Sequence, residues 1–236
     1  MPKKSKVEIP QLKLTFKVNN LRLTEKQKVF LAIALQKETN IIFVSGPAGS
    51  TKTYMAVYAA LRHLSAEDDL DMFYVRTIIE SGEKGLGALP GSVEEKINPY
   101  MAPLEDKLIE MLPENKTIRK DLINEGRIQA MPINYLRGAS WKDKIVVADE
   151  AQNFTFKELT TLITRLGKNS KLFICGDFMQ SDINGRSGYS GMFNLFKDQE
   201  SRENGIHCFS FNKDDILRSE LQKYIIGKLE ERAKKV

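Results

Sequence analysis

Histidine and cysteine are nearly missing from this chain, with two of each in 236 residues. His63, His207, Cys175 and Cys208 stand at no ligand spacing, which argues against a zinc site and leaves little for a Ser–His or Cys–His nucleophile. The cysteines lie far apart in apolar runs and read as two buried, reduced thiols of a cytoplasmic protein. No apolar run approaches the ~20 residues of a membrane span. The basic start MPKKSKVEIPQLKL has no apolar stretch behind it, so neither a membrane nor a secretory signal is expected. Aromatic content is thin in the loops 80–91 and 181–190, where Tyr189 stands alone, and no base-stacking platform of the kind found on RNA-binding sheets is visible. Internal repeats and low-complexity tracts are absent too. Chemistry is left to carboxylates, Lys, Arg and backbone amides.

Charge is present but unevenly placed. The whole chain carries +5. Residues 1–30 hold eight Lys/Arg against two acids, a local +6, so the remainder sums to −1. The excess belongs to an N-terminal arm, not to a basic body. A chain of this length has room for one nucleotide-binding core but not two, since each needs roughly 150–200 residues.

Patterning along the chain alternates strand and helix. Residues 12–18 (LKLTFKV) alternate as a short strand. Thr24 is placed to cap a helix bearing Val29, Phe30, Ile33 and Ala34 on one face. Strands are expected at 41–45, 71–77, 127–131, 145–149, 171–175 and 206–211. A helix is expected after Thr51, and another over 93–112 with interruptions near Pro99 and Pro103. Further helices are expected over 155–166 and 214–234. Loops are expected over 80–91 and 176–191. Strands alternating with helices argue for an α/β fold with a mainly parallel sheet covered on both faces.

Gly46-Pro47-Ala48-Gly49-Ser50-Thr51-Lys52-Thr53 joins the 41–45 strand to the next helix, the setting a phosphate-binding loop requires. Backbone N–H groups there can cradle a β-phosphate, Lys52 can bridge β- and γ-phosphates, and the Thr53 hydroxyl can ligate Mg²⁺. The alternative is an ordinary Gly-rich turn. One position departs from G-x-x-x-x-G-K-[ST]: Thr51 stands where the second Gly belongs. A β-branched residue is costly there if φ must be positive. The motif favours nucleotide binding and leaves fast hydrolysis open.

About a hundred residues on, a buried-looking strand ends in Asp149-Glu150. After such a strand an Asp can hold Mg²⁺, and a following Glu can orient and deprotonate water. Two solvated acids capping a helix are the alternative.

These residues together resemble the PhoH-like family, phosphate-starvation-inducible ATPases that share motifs with superfamily 1 helicases. The resemblance covers Leu23 to the C-terminus. It rests on GPAGSTKT (46–53), Val75-Arg76 with ESGEKGLGALPGSVEEKINPY (80–100), PINYLRG (132–138), DEAQN (149–153), GDFMQSD (176–182) and FNKDDILRSEL (211–221). It implies a single RecA-like P-loop NTPase core over 23–236 behind a basic arm over 1–22, with ATP and Mg²⁺ as substrate and cofactor. Gln27 resembles the adenine-contacting Gln, with an exposed helix Gln as the alternative. Gln180 resembles the γ-phosphate sensor, though Cys175 replaces the usual Thr before its Gly. Arg218 resembles an arginine finger, with an exposed helix Arg as the alternative. Arg76 and the 80–90 loop correspond to the strand-facing region of related helicases. Lys84 and Arg186 are the basic candidates in the loops expected to face nucleic acid, and Arg137 is open between phosphate sensing and an ion pair.

One core with a finger implies that Arg218 acts on a neighbouring subunit, hence a closed head-to-tail ring, with a homo-hexamer favoured. The expected activity is ATP hydrolysis coupled to remodelling of RNA or single-stranded DNA. The competing function is a nucleotide-gated RNA-binding module that hydrolyses weakly or not at all. A phosphotransferase is disfavoured by the Asp149-Glu150 pair and Gln180.

Overall fold

Five consecutive residues, Ile41–Ser45, form strand β1, and every one is buried. That is what a strand covered on both faces requires. The remaining strands are β2 (Asp71–Arg76), β3 (Ile128–Pro132), β4 (Lys144–Ala148), β5 (Lys171–Gly176) and β6 (Ile206–Ser210). They form one sheet in the order β3-β2-β4-β5-β1-β6 with every pairing parallel. Helices are α1 (Glu25–Ala34), α2 (Lys52–Ala66), α3 (Val93–Met111), α4 (Lys116–Asn124), α5 (Phe156–Ile163), α6 (Tyr189–Leu195) and α7 (Gln199–Glu203). This computed structural model describes residues 16–77, 93–112, 116–133, 141–183 and 185–216, with Leu221, Tyr224, Ile225, Gly227 and Lys228.

Alternation along the strands divides the apolar residues into two cores. Ile42, Val44, Ile145 and Val147 face a core shared with α1, α2 and α3. Ile41, Phe43, Val146 and Ala148 face one shared with α5 and α6. The parallel register aligns the exits of four strands. Ser45 pairs with both Gly176 and Ser210, and Ala148 lies opposite Ile174. The loops at Gly46, Asp149, Asp177 and Phe211 therefore leave one edge of the sheet, where α/β folds bind ligands.

Local chemistry sets the helix starts. Thr24 and Gln27 form a reciprocal capping box on α1, and Thr155 and Glu158 form another on α5. Phe30 and Ala34 are buried as expected, whereas Val29 is exposed.

Several expectations need correction. α3 runs through Pro99 and Pro103 without a break. A proline inside a helix costs about 3 kcal/mol, but Met101, Leu104, Leu108 and Met111 recur at helical spacing and are buried in the first core. Tertiary packing outweighs the local penalty. Residues 16–18 are not in a strand, although Phe16 is buried; residues 12–15 lie outside the described set. The last helix does not start at Asp214, although Leu221, Tyr224, Ile225, Gly227 and Lys228, all within the expected span, are helical. Asn212 and Asp215 instead cap a 3-10 turn over Lys213–Asp215, and Ile216 is extended. The loop after Gly176 ends earlier than expected, because α6 begins at Tyr189 and includes Gly191. Among the described residues no helix is long and apolar enough to cross a membrane.

Candidate active site

The 46–53 loop connects β1 to α2 and closes on itself tightly. A Cβ on Gly46 would fall 2.5 Å from Ser50 Oγ and 3.0 Å from Phe211 Cβ, so only glycine fits. Two positions of the loop adopt left-handed backbone, Gly49 at φ 77° and Thr51 at φ 64°. Position 51 does take positive φ, the condition under which a β-branched residue is costly, and Thr51 stores roughly 1–2 kcal/mol of strain there. The Thr51 hydroxyl is held: Gln27 Nε2 donates to Thr51 Oγ1 at 2.9 Å. Ser50 is fully buried, and its hydroxyl has no hydrogen-bond partner among the described residues. Lys52 Nζ donates to Pro47 O at 3.3 Å, folding the ammonium over the loop.

Across the sheet edge stands the acidic pair. Thr53 Oγ1 donates to Asp149 Oδ1 at 2.5 Å. Tyr74, on the neighbouring strand β2, donates its hydroxyl to Asp149 Oδ2. Burial, reinforced by the Asp149 negative charge, raises the Tyr74 pKa, so the phenol stays protonated and remains a donor. Glu150 sits in left-handed backbone at φ 54°, which turns the chain into the 3-10 turn over Ala151–Asn153.

That turn ties the acidic pair to the next loop. Gln152 Nε2 donates to Glu150 Oε2 at 2.5 Å, and Gln152 Oε1 accepts from Asp177 N at 3.0 Å. Asn153 Oδ1 accepts from Asp182 N at 2.9 Å, and its Nδ2 donates to Asp182 Oδ2 at 3.2 Å. Gln180 lies inside the span these contacts hold. Glycine is needed at position 176, the end of β5, since a Cβ there would meet Tyr189 Cε1 at 2.6 Å. Cys175, where a Thr was expected, is buried with its Sγ 3.9 Å from Lys52 O, and burial pushes its pKa well up. The thiol is a packing group against the start of α2, not a nucleophile.

These elements enclose a cleft of about 660 Å³. Ala48, Gly49, Thr51, Lys52, Thr53, Asp149, Glu150 and Gln180 line it, together with Leu21, Arg22, Leu23, Gln27, Tyr54, Lys107 and Glu110. Tyr54 is pushed up to about 12 by burial and by the Glu110 carboxylate to which it hydrogen-bonds. The structure thus brings together Gln27, the 46–53 loop, Asp149, Glu150 and Gln180. Arg76 ends β2 half-buried, close enough for its charge to act on the Tyr74 hydroxyl. Arg186 is exposed in the loop before α6, its Nε donating to Ile183 O at 3.3 Å, and does not line the cleft. Lys84, Arg137 and Arg218 lie outside the described residues.

Tyr74, Gln152 and Asn153 were not singled out from sequence. The only signal for Tyr74 was its inward register in a strand, and Gln152 and Asn153 carried only their place beside the acidic pair.

The donor set suits a nucleoside triphosphate with a hard divalent cation. A glycine cradle that a Cβ would fill and an unpartnered buried hydroxyl lie at the loop, and the oxygens of Thr53 and Asp149 adjoin them. A family model described as PhoH-like protein matches residues 21–230. The chain belongs to the PhoH-like family. A PhoH-like protein of Mycobacterium tuberculosis is 37% identical over 188 residues, covering 79% of this chain and 51% of the relative. One from Bacillus subtilis is 36% identical over 194 residues, covering 82% and 59%. The chain thus spans between half and three-fifths of the length of these PhoH-like relatives. Among solved structures, the large terminase of a thermophilic bacteriophage superposes with a TM-score of 0.54 at 11% identity, covering 86% of this chain and 49% of the terminase. The likeness is one of fold: a RecA-like P-loop core.

Proposed function

We propose that this PhoH-like chain is a Mg²⁺-dependent ATP hydrolase that couples turnover to remodelling of RNA or single-stranded DNA as a ring. The observation that carries the reading is the meeting of Thr53 and Asp149 at 2.5 Å, with Glu150 next in the chain and the phosphate loop lining the same cleft. Amides of the loop and the first turn of α2 bind the phosphates. Lys52 exchanges its contact with Pro47 O for phosphate oxygens. Thr53 and Asp149 hold Mg²⁺, which supplies charge stabilisation at the transferring phosphoryl group. Glu150, steadied by Gln152, orients water and takes its proton. Gln180 faces the same cleft and is assigned to sensing the terminal phosphate. Arg218 is assigned to the neighbouring subunit's site, with Arg76, Lys84 and Arg186 as candidate contacts to the polynucleotide. Gln27, the expected adenine contact, lines the cleft beside the loop.

Phosphate release by the purified protein, with and without single-stranded RNA or DNA, tests this. Stimulated release that Lys52→Ala or Glu150→Gln abolishes supports it. A folded wild type that releases no phosphate sinks the hydrolase, and a rate indifferent to both polynucleotides sinks the remodelling role. The strained Thr51 favours a second reading, a nucleotide-gated RNA-binding module with slow turnover. Nucleotide-dependent RNA binding without phosphate release distinguishes it.

A further inference from the structure

We propose that Thr51 withdraws Gln27 from base reading and makes it a brace for the phosphate loop, so that the cleft selects a nucleoside triphosphate without regard to its base. The proposal rests on the nucleotide-site reading above and extends it to specificity.

An amide side chain reads adenine by offering its oxygen to the exocyclic amine and its nitrogen to N7, which occupies both ends at once. In Gln27 each end already holds one partner, which leaves one N–H and one lone pair on a side chain that is almost wholly buried. Oε1 accepts from Thr24 N at 2.9 Å, and Nε2 donates to Thr51 Oγ1 at 2.9 Å. The residue is 2% exposed. Turning the amide over would set its NH₂ against the Thr24 N–H, so the capping box fixes which end faces which partner. The acceptor that captures Nε2 exists only because a threonine stands in place of glycine.

Two of the neighbouring polar groups also hold partners, whereas Arg22, which lines the same cleft, has none among the described residues. Tyr54 bonds to Glu110, and Lys107 Nζ donates to Pro103 O at 2.7 Å. Leu21 and Leu23 offer apolar surface that any base can cover. Gln27 is therefore a positioning residue. It holds the left-handed Thr51 in place from α1, and the Thr51 hydroxyl proton remains available to the cleft.

The test is competition of ATP and GTP against a ribose-labelled fluorescent ADP, using the full chain with Mg²⁺. The wild type and Thr51→Ser are expected to bind ATP and GTP within about threefold of each other, while Thr51→Ala and Thr51→Gly shift the ratio toward ATP by roughly tenfold. Gln27→Glu keeps the capping acceptor but cannot donate to Thr51, and is expected to weaken ATP and GTP by the same factor. A wild type that prefers ATP by more than about threefold overturns the proposal. So does a Thr51→Gly ratio equal to the wild type's, or a Gln27→Glu loss confined to ATP. A wild type that binds no labelled nucleotide, or binds it equally well after Lys52→Ala, overturns the nucleotide site itself and this proposal with it. Altered ratios with Lys52-dependent binding intact bear on the base alone.

Discussion

The Thr53 hydroxyl and the Asp149 carboxylate meet at 2.5 Å although 96 residues separate them in the chain. One oxygen comes from the first turn of α2 and the other from the end of β4, so neither element forms the site alone. Asp149→Asn keeps the shape and removes the charge. It is expected to reduce the Mg²⁺-dependent gain in nucleotide affinity by about 10–100-fold, leaving affinity in a chelator unchanged. Titration of labelled nucleotide at fixed and zero Mg²⁺ checks this; equal Mg²⁺ dependence in wild type and variant would count against the assignment.

Gly176 ends β5 where the Tyr189 ring lies, and an added Cβ would come within 2.6 Å of that ring. Tyr189 is fully buried, so the ring cannot swing away cheaply. Gly176→Ala is expected to lower stability by about 1–3 kcal/mol through overpacking. Urea denaturation measures it. An unchanged midpoint would mean that α6 shifts freely.

His63 is buried on α2 with Nε2 hydrogen-bonded to Ala34 O at 3.0 Å. Burial lowers its pKa in the folded state, and the nearby Lys171 ammonium lowers it further. The unfolded chain therefore binds a proton near pH 6.5 that the folded chain refuses, so stability falls as pH drops through 6.5 and levels off below the depressed folded value. His207, lowered in the same direction by burial, adds to the trend. Unfolding midpoints at pH 7.5 and 5.5 should differ for wild type, and the gap should narrow in His63→Gln. Equal gaps would remove His63 from the account.

Subunit mixing addresses the ring. Arg218→Ala and Lys52→Ala chains are each expected to be inactive alone. If the finger reaches a neighbouring site, mixed assemblies recover phosphate release, because an intact loop can then face an intact finger. Sites complete within one chain would show no recovery at any mixing ratio.

The phosphate loop and the acidic pair were legible because both are contiguous and each follows a buried strand. Thr51's positive φ was legible as well, since a motif that wants glycine at a position states its backbone demand. What Thr51's hydroxyl bonds to was not. Gln27 lies 24 residues away, and its contact exists only after α1 packs beside the loop. Tyr74 read as one more inward strand residue, and nothing local told that its hydroxyl reaches Asp149. The unbroken α3 was misjudged for the opposite reason: the local signal of two prolines was clear, and distant burial of Leu104 and Leu108 overrode it. Residues 1–15 of the basic arm, the 80–91 loop and Arg218 lie outside the described residues, but the arm does not reach residue 22 as a separate segment, because Phe16 is buried, Asn19 N donates to Met111 O at 2.8 Å, and Leu21 and Arg22 line the cleft.

The pairing of β1 also governs when the protein can fold. Ile41 has Leu172 on one side and Ile206 on the other, and no earlier strand beside it. On a ribosome adding roughly 5–20 residues per second, β1 therefore waits on the order of ten seconds before both neighbours have been made. Until β5 has been made, an apolar strand and the loop after it have no neighbouring strand to join, which exposes the nascent chain to misassociation. The nucleotide site is consequently among the last parts to mature, and a chain truncated before β6 is expected to lose it altogether.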